Sequence, residues 1–97
     1  MTGTTRTAEG LDARRRKLLF RSWHRGMREM DLVLGRFADS RIGDLTDVEI
    51  DQYERLLDIP DTDLLTWVTG ERPVPDAMRS TMLDTVLGFG RSMTFDN

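Results

Sequence analysis

The chain has 97 residues, no cysteine, one histidine, and 17 acidic against 14 basic side chains, for a net charge of −3. That length holds one domain with one core and leaves no room beside it for a large ligand cavity, so the working part is expected on the surface. The missing cysteines exclude disulfides, thiolate metal sites and cysteine nucleophiles, and the negative balance argues against a dedicated nucleic-acid binder.

In chain order, residues 1–10 read as a loose tail, 11–90 as a single helical domain and 91–97 as a second loose end. The opening MTGTTRTAEG lacks an apolar signal core, so secretion is not expected. No apolar run approaches the roughly 18 residues that span a bilayer, so membrane insertion is not expected either. The arginine-rich run that follows has the composition of a mitochondrial presequence, but its apolar positions lead straight into the domain. A cytoplasmic protein is the plain reading.

No alternation of the strand type persists, whereas helical spacing recurs. The first helix is predicted from Leu11 to Trp23, with Leu11, Leu18, Leu19 and Trp23 on its buried face. The second follows Gly26, with Met30, Val33, Leu34 and Phe37 as an i, i+3, i+4, i+7 stripe, and its Gly35 admits the close approach of a neighbour. Thr46-Asp47-Val48-Glu49 is a capping box that opens the third helix, which buries Ile50, Tyr53, Leu56 and Leu57 before Pro60 stops it. Asp61 is the expected N-cap of a short fourth helix carrying Leu64, Trp67 and Val68 and closed by Gly70. The fifth runs from Pro75 or Asp76, with Met78, Met82, Leu83, Val86 and Leu87 inward. The expected fold is all-α, five short helices with tight connections.

Charge is unevenly placed. Seven bases and one acid lie between Leu11 and Arg28, and ten acids against two arginines between Asp44 and Asp76. A polarised molecule is expected, with a basic first helix and an acidic middle. That helix supplies the alternative function, a small nucleic-acid-binding or antitoxin-like regulator. Its bland counterpart is a solvated helix face, because Phe20 and Trp23 do not interleave with the bases as a stacking platform.

Few residues offer chemistry. His24 has no cysteine to activate and no evident orienting partner, so no nucleophilic set assembles around it. Asp61-Thr62-Asp63 begins like a calcium loop but lacks that loop's glycine and closing glutamate; no metal site and no catalytic residue are expected. The stretch WHRGMREMD, Trp23 to Asp31, is the one dense cluster. As plain structure, Gly26 is an N-cap that places Glu29 at N3, with Arg25 pairing to Glu29 across one turn. As a binding surface, the same glycine lets another backbone approach, flanked by a guanidinium fork and a carboxylate. Spacing alone leaves both readings open.

The cluster contains Arg25-Gly26-Met27-Arg28-Glu29, which resembles the RGxxE motif of the SdhE family, also called succinate dehydrogenase assembly factor 2 or YgfY-like. The likeness extends in order through Met30-Asp31-Leu32-Val33-Leu34-Gly35-Arg36-Phe37, Tyr53-Glu54-Arg55-Leu56-Leu57 and Pro60-Asp61-Thr62-Asp63-Leu64-Leu65-Thr66-Trp67. It covers roughly Leu11 to Phe89. It implies a five-helix protein, a monomer when free, that is not an enzyme. Its implied role is to assist covalent attachment of FAD to a histidine of the flavoprotein subunit of succinate dehydrogenase and, in bacteria, of fumarate reductase. The FAD is then the partner's, and this chain holds no cofactor. Carried over residue by residue, Arg25, Gly26 and Glu29 form the partner-binding surface, with Met27, Arg21 and His24 beside them. A partner that stabilises an oxidoreductase without touching its flavin chemistry is the remaining competitor.

Overall fold

The computed structural model describes residues 10–93, which form five α-helices and one 3-10 turn. Helix α1 (Ala13–Trp23) starts at Asp12, whose carboxylate accepts from the Arg15 amide at 2.8 Å, the ordinary N-cap bond. Its buried face is Leu18, Leu19, Ser22 and Trp23. Helix α2 (Arg28–Arg41) turns back along it, because Arg15 near the start of α1 reaches the carbonyls of Ile42 and Leu45 beyond the end of α2, at 3.0 and 2.5 Å. The hairpin closes through Gly35, where a Cβ would stand 2.2 Å from the Trp23 ring. The close approach expected at that glycine is therefore made by an indole lying flat on the helix backbone.

Helix α3 (Asp47–Leu56) carries both halves of the capping box, Thr46 Oγ1 with the Glu49 amide and Glu49 Oε1 with the Thr46 amide. Helix α4 (Asp61–Val68) ends at Gly70, whose φ of +80° is the left-handed exit that glycine supplies. Its N-cap is Pro60, not the expected Asp61, which occupies the first helical position and uses its carboxylate elsewhere. The predicted fifth helix is split. Asp76–Met78 forms a 3-10 turn, Arg79 is extended, and α5 (Thr81–Arg91) starts afresh from the Ser80 hydroxyl. Met78 consequently lies outside the core, 41% exposed, while Met82, Leu83, Val86 and Leu87 are inward as expected. A serine N-cap bonded to the Leu83 amide outweighs continuation of the helix from Asp76.

The core is continuous through all five helices. Phe37 of α2 lies between Tyr53 of α3 and Phe89 of α5, with ring centroids 5.5 and 5.6 Å away. One buried polar knot crosses it. Ser22 Oγ stands 2.8 Å from the Leu18 carbonyl and 2.6 Å from the Tyr53 hydroxyl, which in turn has the Leu34 carbonyl at 3.3 Å as an acceptor. Of the end expected to be loose from residue 91, Arg91 belongs to α5 and donates to the Trp67 and Val68 carbonyls, and Met93 packs on the core. Residues 1–9 and 94–97, where the two tails were expected, lie outside the described residues.

Candidate functional site

The corner between α1 and α2 is built by a glycine that is conformationally required. Gly26 has a φ of +95°, and no atom lies within 4 Å of where its Cβ would stand. A left-handed residue cannot serve as an N-cap, which needs extended backbone. That position falls to Met27, at φ −129° with no side-chain bond to the helix. Glu29 is therefore at N2, not N3, and does not reach back to the backbone. Asp31 takes over that duty, its Oδ1 accepting from the Arg25 amide at 2.6 Å.

The expected pair of Arg25 with Glu29 is absent. The Arg25 guanidinium turns into the molecule, where Nε donates to Asp61 Oδ1 at 2.7 Å, Nη1 to the Leu57 carbonyl at 2.5 Å and Nη2 to the Ile59 carbonyl at 2.8 Å. Its side chain is 10% exposed and that of Asp61 17%. The physical reason is acceptor supply. The end of α3 leaves carbonyls without intrahelical partners, and three acceptors within 2.8 Å match the guanidinium fork better than one solvated carboxylate. The planar fork expected to face a partner thus faces inward.

What the corner displays is Gly26, Arg28 and Glu29. Both charged side chains are exposed, and neither has a hydrogen-bond or ion-pair partner among the described residues. Met27 is partly buried against the core. Arg21 meets Asp58 at 3.2 Å. His24 lies on α1's outer side, its Nδ1 2.7 Å from the Phe20 carbonyl; since a carbonyl only accepts, that nitrogen carries the proton. Its ring stacks on Phe20 at 3.9 Å and 16°. Phe20 is 62% exposed, and the stacked rings border a shallow depression floored by Arg25, Asp58 and Pro60.

Of the six expected contact residues, the structure brings all to one end of the α1–α2 hairpin, with Arg25 beneath and the others at or beside its surface. Sequence reasoning missed Phe20, Arg28 and Asp61. The Phe20–His24 stack was legible as an i, i+4 pair. Asp61 was not, because nothing local links it to a residue 36 positions earlier.

The expected polarisation does not survive folding. Arg14 pairs with Asp51 and Glu54, both at 2.6 Å, Arg21 with Asp58, and Arg25 with Asp61. Arg15 is spent on the Ile42 and Leu45 carbonyls and Arg16 on that of Leu11. Much of the basic run of the sequence is folded onto its acidic run, which leaves fewer free arginines on α1 than the sequence pattern implied.

A small all-helical globule that anchors an inter-helix corner from beneath and leaves a glycine and two unpaired charges on its outside is suited to act as a protein-binding module. The comparisons with known proteins agree. The family model described as the flavinator of succinate dehydrogenase (Sdh5) matches residues 16–89. The FAD assembly factor SdhE of Acetobacter pasteurianus is 37% identical over 75 residues, covering 77% of this chain and 69% of that protein. The mitochondrial succinate dehydrogenase assembly factor 2 of Scheffersomyces stipitis is 37% identical over 81 residues, 80% of this chain and 54% of its own. Its Dictyostelium discoideum counterpart is 40% identical over 72 residues, 74% and 51%. This chain therefore belongs to the succinate dehydrogenase flavinator family, and it spans little more than half the length of those mitochondrial relatives. No helix among the described residues is long and apolar enough to cross a membrane.

Proposed function

We propose that this protein is an assembly factor that binds the flavoprotein subunit of succinate dehydrogenase and promotes covalent attachment of FAD to it, with fumarate reductase as a second client in bacteria. It acts as a monomer, in the cytoplasm, and catalyses no covalent step itself. The observation that carries this reading is the corner at Gly26–Glu29: an open glycine flanked by two solvated, unpaired charges, in a chain of the flavinator family.

The client supplies both the FAD and the histidine that bonds to it. This chain's contribution is geometric. Gly26, lacking a Cβ, lets a client backbone come within van der Waals reach of the corner. Glu29 accepts from client N–H groups and Arg28 donates to client oxygens, contacts that gain strength once water is excluded. Met27, Arg21 and His24 border this contact. Held by the corner, two parts of the client are kept in the relative position in which its histidine and the flavin can react, and such orientation can lower a barrier by several kcal/mol.

The test is covalent flavin on the client, read as fluorescence of its band in a denaturing gel. Cells with the intact protein are expected to give a strong band. Cells without it, and cells carrying Glu29→Ala, are expected to give a weak one. Equal bands in all three would remove the proposal.

A further inference from the structure

Arg25 belongs to the displayed motif by sequence, yet its guanidinium is the least displayed part of the corner. Its main chain is held by α2, through the Asp31 carboxylate, and its side chain by the α3–α4 turn, through Leu57, Ile59 and Asp61. The residue that follows is Gly26, which adopts a φ open to few other residues. A glycine on its own samples both signs of φ freely. Here the peptide that enters it is fixed at both ends of Arg25, and the peptide that leaves it is fixed by the start of α2. The one contact in this arrangement that depends on a distant side chain is the ion pair to Asp61, 36 positions along the chain.

We infer that Asp61, acting through Arg25, is a positioning residue for client binding: the mostly buried Arg25–Asp61 pair sets the Gly26 corner so that Arg28 and Glu29 project together, and neither Arg25 nor Asp61 touches the client. This rests on the corner being the client surface. It divides the five-residue motif into a buried anchor and a displayed group, and it adds to the site a residue from the fourth helix.

The fold supplies its own control for a role in stability alone. Arg91 makes the same kind of contact at the other end of α4, donating to the Trp67 and Val68 carbonyls. Arg91→Met removes an arginine cap from helix-end carbonyls, as Arg25→Met does, though from a more exposed residue, and leaves the corner untouched. The full-length chain and its Arg25→Met, Asp61→Ala, Arg91→Met and Glu29→Ala variants are compared for melting midpoint and for affinity to the purified flavoprotein subunit. Binding is read at a temperature where all are folded. Amide exchange at Met27 and Arg28 is followed in the free proteins. Should Asp61→Ala not fold, Asp61→Asn, which keeps the shape and loses the charge, replaces it.

Arg25→Met and Asp61→Ala are expected to lower the midpoint, speed exchange at the corner and weaken client affinity by about tenfold or more. Arg91→Met is expected to lower the midpoint with affinity and corner exchange unchanged. Glu29→Ala is expected to lose affinity with the midpoint unchanged. Wild-type affinity in Asp61→Ala beside lost binding in Arg25→Met would overturn the inference, since Arg25 would then touch the client directly. So would an affinity loss in Arg91→Met equal to that of Asp61→Ala, which would reduce the pair to general stability. Wild-type affinity in Glu29→Ala would instead remove the corner as the client surface.

Discussion

Gly26 and Gly35 are two glycines of α1–α2 kept for opposite reasons, and substitution separates them. At Gly26 the space is open but the backbone is left-handed, so Gly26→Ala costs about 1–2 kcal/mol of backbone strain with no collision. At Gly35 the backbone is ordinary helix, but an added Cβ would stand 2.2 Å from the Trp23 indole. Gly35→Ala should therefore cost about 1–3 kcal/mol by overpacking and shift Trp23 fluorescence, because the ring must move off α2. Denaturant titration with tryptophan fluorescence checks both, and an unshifted Trp23 signal in Gly35→Ala would contradict the packing. At the client surface the order reverses: Gly26→Arg should abolish binding, whereas Gly35→Ala should weaken it only as far as the hairpin is displaced.

At the scale of the helix, three arginines perform one task. Arg15 caps the end of α2, Arg25 that of α3 and Arg91 that of α4, each from another part of the chain. A guanidinium there satisfies orphan carbonyls and meets the negative end of the helix dipole at once. Helices of 8–14 residues, too short to be stable alone, are thereby fastened to one another at their ends. The Ser22–Tyr53 knot fastens α1 to α3 through the middle, and it gives a pH signature. Burial raises the Tyr53 hydroxyl above its ordinary value, with the bond to Ser22 opposing in part. The folded state keeps this proton after the unfolded chain would release it. The contribution of this proton to stability is therefore fully present below about pH 10 and is lost as pH rises past that value, by about 1.4 kcal/mol per unit. Tyr53 is the chain's one tyrosine, so tyrosinate absorbance on alkaline titration should appear only as the protein unfolds. Absorbance rising in the folded state near pH 10 would refute the buried knot.

Over the whole molecule, the folding of a basic segment onto an acidic one contributes little to stability and bears instead on which charges are left for a partner. The outer pairs of Arg14 with Asp51 and Glu54 are solvated, and such pairs contribute about 0–1 kcal/mol each. The apolar core running through all five helices carries the stability. Raising salt to about 1 M, where the Debye length is about 3 Å, should therefore move the melting midpoint by no more than about 5 °C. A collapse of the midpoint would mean that the ion pairs hold the fold. What the pairing does decide is which charges stay available. Arginines of α1 are used internally, and the unpaired Arg28 and Glu29 stand at the corner, a mixed-charge patch suited to a protein surface more than to a phosphate backbone.

Helix number, the buried stripes of α1 to α4, the Thr46 capping box and the Gly70 exit were legible in the sequence, because each follows from spacing or from a bond between residues within one turn. The RGxxE corner was legible only through its resemblance to a family motif, since spacing alone left two readings open. The sequence could not assign the partners within that corner. Arg25 has Glu29 four residues away and Asp61 thirty-six away, and only the packing of the α3–α4 turn under α1 makes the distant acid and two free carbonyls the better acceptors. The break at Arg79 and the exposure of Met78 go instead with the local Ser80 N-cap, which the reading of a helix running from Pro75 or Asp76 passed over. Local hydrogen bonding and periodicity are properties of neighbouring residues, so the sequence by itself determined them. The direction in which a long charged side chain turns depends on every acceptor within its reach, and only the tertiary structure decided that.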